Sequence, residues 1–293
     1  IDTEATGLEW WTPSFCRLWQ IGDDKAGWAI PVEWWGKVID HAMGLVVKHR
    51  TPIVMHNAKF DMHAIEVSGW PLPHWDQVLD TAILMHLHRS DKSRALKGRG
   101  ASDLLGPWIY AGKDELNRVA KQKYGLSPSD KWRYIPLDEP ACWGYGAMDT
   151  VQTRMIYDAL VALNVPQDFA PQLQREMHYM SIMYRAEKRG VLVDERYTRE
   201  LQSTLQHRID QDLFYLRSKG LDNPNSVDQV VDLLETDYNF VPWEFTPTGK
   251  ASLNKNVLAV LALAGGLQTE TVEALVRYKR NVKWKGTYVD RFL

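Results

Sequence analysis

Ile1-Asp2-Thr3-Glu4-Ala5-Thr6-Gly7-Leu8 opens the chain and decides how the rest is read. Two carboxylates, Asp2 and Glu4, stand at i and i+2. On an extended segment, residues two apart project from one face. Two acids aimed the same way repel unless a cation lies between them. Hard divalent ions such as Mg²⁺ and Mn²⁺ take oxygen ligands of this kind. Asp-x-Glu by itself is a weak pattern, because such pairs are common as solvated surface acids. Its weight comes from what lies further along the chain.

Arg17 to Gly22 and Trp28 to Pro31 flank the turn-rich link Asp23-Asp24-Lys25-Ala26-Gly27, which predicts a hairpin. Val32 to His49 carries apolar residues at helical spacing, and Ile53 to His56 is a short apolar run of the kind a buried strand shows. Ala58 to Val67 returns to helical spacing, and Val78-Leu79-Asp80 predicts another strand feeding a helix from Thr81 to His88. Asp80 fits the cap of that helix better than a metal ligand. Helices are expected at Leu96 to Leu105, Lys113 to Lys123 and Asp138 to Leu163, the last ended by Val165-Pro166. Strands alternating with helices predict an α/β layer architecture. From Pro171 onward almost only helices are expected, at Pro171 to Arg189, after the N-cap Asp194, at Asn223 to Glu235, Asn254 to Leu263 and Thr269 to Phe292. The change in pattern places a domain boundary at 166/167.

The chain has 293 residues, 45% hydrophobic and 25% charged, enough for one large or two ordinary globular domains. No apolar run is long enough to span a bilayer, and no secretory signal opens it. Cys16 and Cys142 are the only cysteines, which is too few for a disulfide framework and fits a reducing compartment. A net charge of −2 does not advertise nucleic-acid binding. The final stretch nevertheless carries Arg277, Lys279, Arg280, Lys283 and Lys285 with no acid among them. That run is either a solvated helix face or a phosphate-binding one.

Three more residues join the opening pair. Asp61 lies one turn into the helix after the strand at Ile53, within Asn57-Ala58-Lys59-Phe60-Asp61. Tyr145 and Asp149 stand at i and i+4 on the long helix and share a face. Four carboxylates converging on a sheet edge would neutralise two divalent ions about 3.5–4 Å apart, an arrangement suited to phosphodiester hydrolysis.

Asp2-x-Glu4, Asn57-x-Lys59-Phe60-Asp61 and Tyr145-x-x-x-Asp149 together resemble the three motifs of the DEDDy 3′–5′ exonucleases. Glu187-Lys188-Arg189-Gly190-Val191-Leu192-Val193-Asp194 resembles the start of the polymerase part of bacterial and phage family A DNA polymerases. Thr246-Pro247-Thr248-Gly249-Lys250-Ala251-Ser252 and Lys283-Trp284-Lys285-Gly286-Thr287-Tyr288 resemble a thumb loop and the second long thumb helix of those enzymes. The resemblance spans nearly the whole chain, with its motifs in order.

It implies a ribonuclease-H-like mixed sheet flanked by helices, with the Asp2 strand central, in an N-terminally truncated exonuclease domain at 1–166. An all-α segment at 167–293 would begin the polymerase domain and form its thumb, with palm and fingers absent. The implied activity is that of a 3′–5′ exodeoxyribonuclease, the proofreading portion of a DNA-directed DNA polymerase, in a fragment not expected to polymerise. Two divalent ions, Mg²⁺ or Mn²⁺, are the implied cofactors. Asp2, Glu4 and Asp149 would bind one, and Asp2 with Asp61, through water, the other. Tyr145 would position the attacking water. Leu8 matches a wedge against the terminal base, and Asn57 a position near the 3′-terminal nucleotide. Ala5 departs from the family, which usually has Thr there.

DNA is the implied partner: a single-stranded or frayed 3′ end at the exonuclease site, and duplex at the thumb, where Lys279, Arg280, Lys283 and Lys285 lie. No membrane partner, a monomeric state and the cytoplasm of a bacterial or phage-infected cell are expected. Two alternatives remain at this point. A ribonuclease-D-like RNA exonuclease shares the three motifs but not the thumb-like half. A non-catalytic nucleic-acid-binding module would not need all four acids and Tyr145.

Overall fold

Strand β1 (Asp2–Ala5) sets the architecture of the first part of the chain. Thr3 and Ala5 are buried on one face, and Asp2 and Glu4 are half-buried on the other, the alternation a strand imposes. β1 pairs antiparallel with β2 (Cys16–Gly22), which pairs antiparallel with β3 (Gly27–Pro31). The link between β2 and β3 is closed by the Asp23 carboxylate, which accepts from the backbone nitrogens of Lys25 and Ala26 at 2.8 Å each. After helix α1 (Val32–Lys48), strands β4 (Ile53–Met55) and β5 (Val78–Asp80) pair in parallel, with helix α2 (Ala58–Val67) between them. β1 is therefore an edge of a three-stranded sheet, where the resemblance implied a central strand. One bond links its open side to the parallel pair: the Ile1 nitrogen donates to the Val54 carbonyl at 3.1 Å.

The structure is a computed structural model and describes residues 1–12, 14–246, 248–266 and 268–293. Pro247, in the loop compared above with a thumb loop, lies outside them. The helices that follow are α3 (Thr81–His88), α4 (Arg99–Leu105), α5 (Ala111–Tyr124), α6 (Lys131–Tyr134), α7 (Pro140–Ala162), α8 (Val165–Asp168) and α9 (Ala170–Arg189). Asp80 caps two of them. Its carboxylate accepts from Ala82 at the start of α3 and from Asn57 and Ala58 at the start of α2. Helix α7 ends at Ala162, and Pro166 starts the next turn rather than stopping the helix, since its fixed φ suits a first turn. α6 and α8, four residues each, were too short to leave a periodic signal.

The chain divides into two compact units, Ile1–Gly190 and Val191–Leu293. The sequence placed its boundary at 166/167, so α9 falls on the other side of the division. Met177 and Tyr184 on α9 pack into the core formed by Ile39, Met43, Met62 and Ile65. His63 on α2 meets Glu187 at 3.0 Å, and Lys59 pairs with the same carboxylate. Burial of α9 against α2 outweighs the compositional change that suggested the earlier boundary.

The second unit is helical, with α10 (Glu195–Ser218), α11 (Val227–Tyr238), α12 (Lys255–Leu263) and α13 (Thr269–Thr287) around a core of Leu216, Leu234, Val257, Val272 and Leu275. Asp194, Ser226 and Asn254 cap α10, α11 and α12 through their side chains. Arg277 of α13 donates twice to Asp212 of α10, at 3.0 and 3.1 Å. Among the described residues no helix is long and apolar enough to cross a membrane.

Candidate metal centre

Helix α7 crosses the face of β1 that carries the two acids, and it brings Asp149 to them. Small residues let α7 approach the sheet closely at β3. A Cβ on Gly27 would fall 2.1 Å from the Ala147 carbonyl oxygen. Asp2, Glu4 and Asp149 each offer a carboxylate oxygen, and these oxygens lie within 4.8 Å of one another. The donors are all carboxylate oxygens, the chemistry that suits Mg²⁺ or Mn²⁺ rather than a soft ion. The donor set therefore fits the implied cofactor.

The electrostatics follow from burial. Removal from water raises the pKa of Asp2 to about 7, helped by the negative charge of Asp149 and opposed by Lys97. Burial likewise lifts Glu4 well above the carboxylate range, with Asp2 and Asp149 adding to it. Burial also raises Asp149, against the pull of Lys97. Burial thus favours the protonated form of all three.

Asp61 is not one of the three. Helix α2 covers the opposite face of β1, and the Thr3 hydroxyl donates to the Asp61 carboxylate at 2.7 Å. Asp61 is buried, and that burial, with the nearby charge of Asp2, pushes its pKa well up. Tyr145 lies one turn before Asp149. Burial and the surrounding carboxylates hold its hydroxyl far above the usual range, so it remains a proton donor.

The sequence missed Lys97. Its ammonium bonds to Asp149 and sits 4.3 Å from the centre of the Tyr145 ring. Lys131, on α6, stands 5.7 Å from the same ring, donates to Asn117 at 2.9 Å, and has its pKa lowered by burial. Lys97 falls at the start of the helix expected from Leu96 and lies two residues before the observed α4, where nothing marks one lysine from its neighbours.

Leu8 lies on the loop after β1 and is 81% exposed. Asn57 is exposed and takes the left-handed conformation, φ 64°, at the start of α2. On α13, Lys279, Arg280 and Lys283 line one recess with Trp284. Lys285 is turned elsewhere and pairs with Asp290 at 3.0 Å. Two residues at 100° each put it about 200° round the helix from Lys283, nearly on the opposite side.

No family model matches the chain. Over its whole length it is 28% identical to the DNA polymerase of Mycobacterium phage D29, covering 49% of that protein, and 28% identical to that of Mycobacterium phage L5, covering 50%. It is 24% identical over its whole length to DNA polymerase I of Borreliella burgdorferi, covering 31% of it. The chain thus spans about half the length of the phage relatives. Among solved structures, it is similar to the POL domain of Pol1 from M. smegmatis in complex with DNA primer-template and dNTP. That match has a TM-score of 0.55 at 18% identity and covers 94% of this chain and 43% of the other. The relatives bear out the polymerase kinship recognised in the motifs.

Proposed function

We propose that this chain, a relative of the DNA polymerases of family A, is a metal-dependent 3′–5′ exonuclease unit joined to a thumb segment. The observation that carries this reading is the meeting of Asp2, Glu4 and Asp149 within 4.8 Å, with Tyr145 one turn from Asp149. What supports a ribonuclease-H-like arrangement is an antiparallel set β1-β2-β3 and a parallel pair β4-β5, linked at the edge strand β1 by the bond from Ile1 to Val54. The first compact unit is the nuclease, and the second is the thumb segment.

Asp2, Glu4 and Asp149 would hold one divalent ion; a second, shared by Asp2 and Asp61, would require the Asp61 carboxylate to leave the Thr3 hydroxyl that holds it on the other face of β1. Two such ions would supply charge neutralisation for the attacking and departing oxygens of a phosphodiester. The chain's own groups do the rest. The Tyr145 hydroxyl, kept protonated, orients the attacking water. Leu8, projecting into solvent, packs against the terminal base of a single or frayed strand, since unpairing costs least at a mismatch. Lys97 neutralises Asp149 until a divalent ion binds. Lys279, Arg280 and Lys283 face duplex phosphates.

The test combines Mn²⁺ affinity with single-turnover cleavage of a 3′-mismatched DNA strand. Asp149→Ala should lose both. Tyr145→Phe should keep its affinity and lose about 10²-fold in rate, the scale of a lost proton-handling or positioning group. Cleavage that persists in excess EDTA, or full activity of Asp149→Ala in Mg²⁺, overturns the reading. Faster cleavage of RNA would favour the ribonuclease-D-like alternative, and metal binding without cleavage of either strand would favour the binding module.

A further inference from the structure

Gln20 lies on β2 with no exposed surface, and neither its amide nitrogen nor its oxygen has a hydrogen-bond partner among the described residues. A buried polar group left unpaired carries its whole desolvation cost and calls for an explanation. Its place in the ladder supplies one. Gln20 is directly across from Asp2, as Leu18 is across from Glu4. Opposite side chains in an antiparallel pair share a face, with Cβ atoms about 4.5–5.5 Å apart. Helix α7 closes over this face at Gly146, where a Cβ would fall 2.8 Å from the Gln20 amide nitrogen. Gly146 and Asp149 are three residues apart, so the helix presents both on one side. The amide is thus enclosed between the strand that carries Asp2 and the helix that carries Asp149.

We propose that Gln20 is a positioning residue of the metal centre, its amide NH₂ donating to the Asp2 carboxylate oxygen turned away from the ion. This rests on the reading of Asp2, Glu4 and Asp149 as a divalent-cation site. Carboxylates that ligate metals are themselves held by hydrogen bonds, and losing such a support typically costs 10–100-fold in metal affinity. A carboxylate fixed from behind keeps its free oxygen aimed at the ion. Gln20 has the donor, a place across from Asp2 and no competing partner among the described residues.

The experiment is a Mn²⁺ titration followed by the electron paramagnetic resonance of the free ion, paired with thermal unfolding in EDTA. Gln20→Met keeps the volume and removes the amide. Its Mn²⁺ affinity should fall about 10–100-fold. Its melting temperature in EDTA should hold or rise, because an unpaired buried amide has been replaced by apolar atoms. Gln20→Asn keeps the amide but withdraws it by one methylene. It should lose affinity in the same way, and it carries the test if Gln20→Met does not fold. Wild-type affinity in a folded Gln20→Met or Gln20→Asn overturns the proposal, as does a lower melting temperature in EDTA with affinity unchanged, the mark of a packing role. Asp149→Ala is the control for the underlying site. If it binds Mn²⁺ like the wild type, the metal reading fails, whatever the Gln20 variants do.

Discussion

At the scale of single residues, the centre is a balance of charges. Three half-buried or buried acids face each other, and Lys97 is the cation bonded to one of them. The Lys97 and Asp149 side chains are 7% and 5% exposed, so water does little to screen them. Lys97→Met leaves Asp149 without its partner. At pH 8 in EDTA, the variant should lose stability on the scale of a broken buried pair, about 3–5 kcal/mol. The same change removes a cation that competes for Asp149, so Mn²⁺ affinity should rise. Denaturant unfolding in EDTA and a Mn²⁺ titration read the two effects. Unchanged values in both would show that Lys97 is a bystander.

At the scale of elements, two helices carry the site and the basic face. Helix α7 presents Tyr145, Gly146 and Asp149 to the sheet, and its close packing depends on glycine at the contact. Helix α13 sorts its cations by angle. Lys279 and Lys283 are one turn apart, Arg280 is beside them, and Lys285 is turned to Asp290. If α13 grips duplex DNA, each phosphate contact adds about 0.9 to the slope of log affinity against log salt. Lys279→Gln, Arg280→Gln and Lys283→Gln should each reduce that slope by up to about 0.9, and Lys285→Gln should leave it alone. Affinity for a primer–template duplex across 50–200 mM salt, the range over which such contacts show clearly, is the measurement. A loss in slope for Lys285→Gln alone would assign the grip to the other face.

At the scale of the whole molecule, the acidic cluster couples stability to pH and metal. Asp2 takes up its proton near pH 7 when folded and near 4 when unfolded. Between those values the folded state binds more protons, so this carboxyl's contribution to stability is lost as pH rises through the window. Glu4, Asp61 and Asp149 act in the same direction. His56 and His63, both lowered by burial, act in the opposite direction, His56 between about pH 4 and 6.5. A divalent ion cancels only the carboxylate part. The gain in melting temperature from Mg²⁺ over EDTA should therefore widen as pH rises from 5.5 to 8 (roughly the span from below to above the Asp2 titration). A gain that stays flat or shrinks over that span contradicts the coupling.

The sequence alone determined the longer elements and the polymerase kinship. Alternation in Asp2 to Ala5, periodicity in Val32 to Lys48 and Ala58 to Val67, and the caps at Asp80 and Asp194 are local signals, because a residue's own backbone and near neighbours decide them. The i and i+2 acids and the Tyr145–Asp149 turn carried the kinship for the same reason. The tertiary structure alone decided which of these residues meet. Asp149 reached Asp2 and Glu4, while Asp61 stayed on the other face of β1 with Thr3. Lys97 joined the centre from just before α4, and Gln20 came to lie across from Asp2 on the neighbouring strand, neither with any local mark. Helix α9 joined the first unit through Met177 and Tyr184 despite its change in composition. Long-range packing depends on which faces bury one another, and side-chain pattern within one segment does not carry that information.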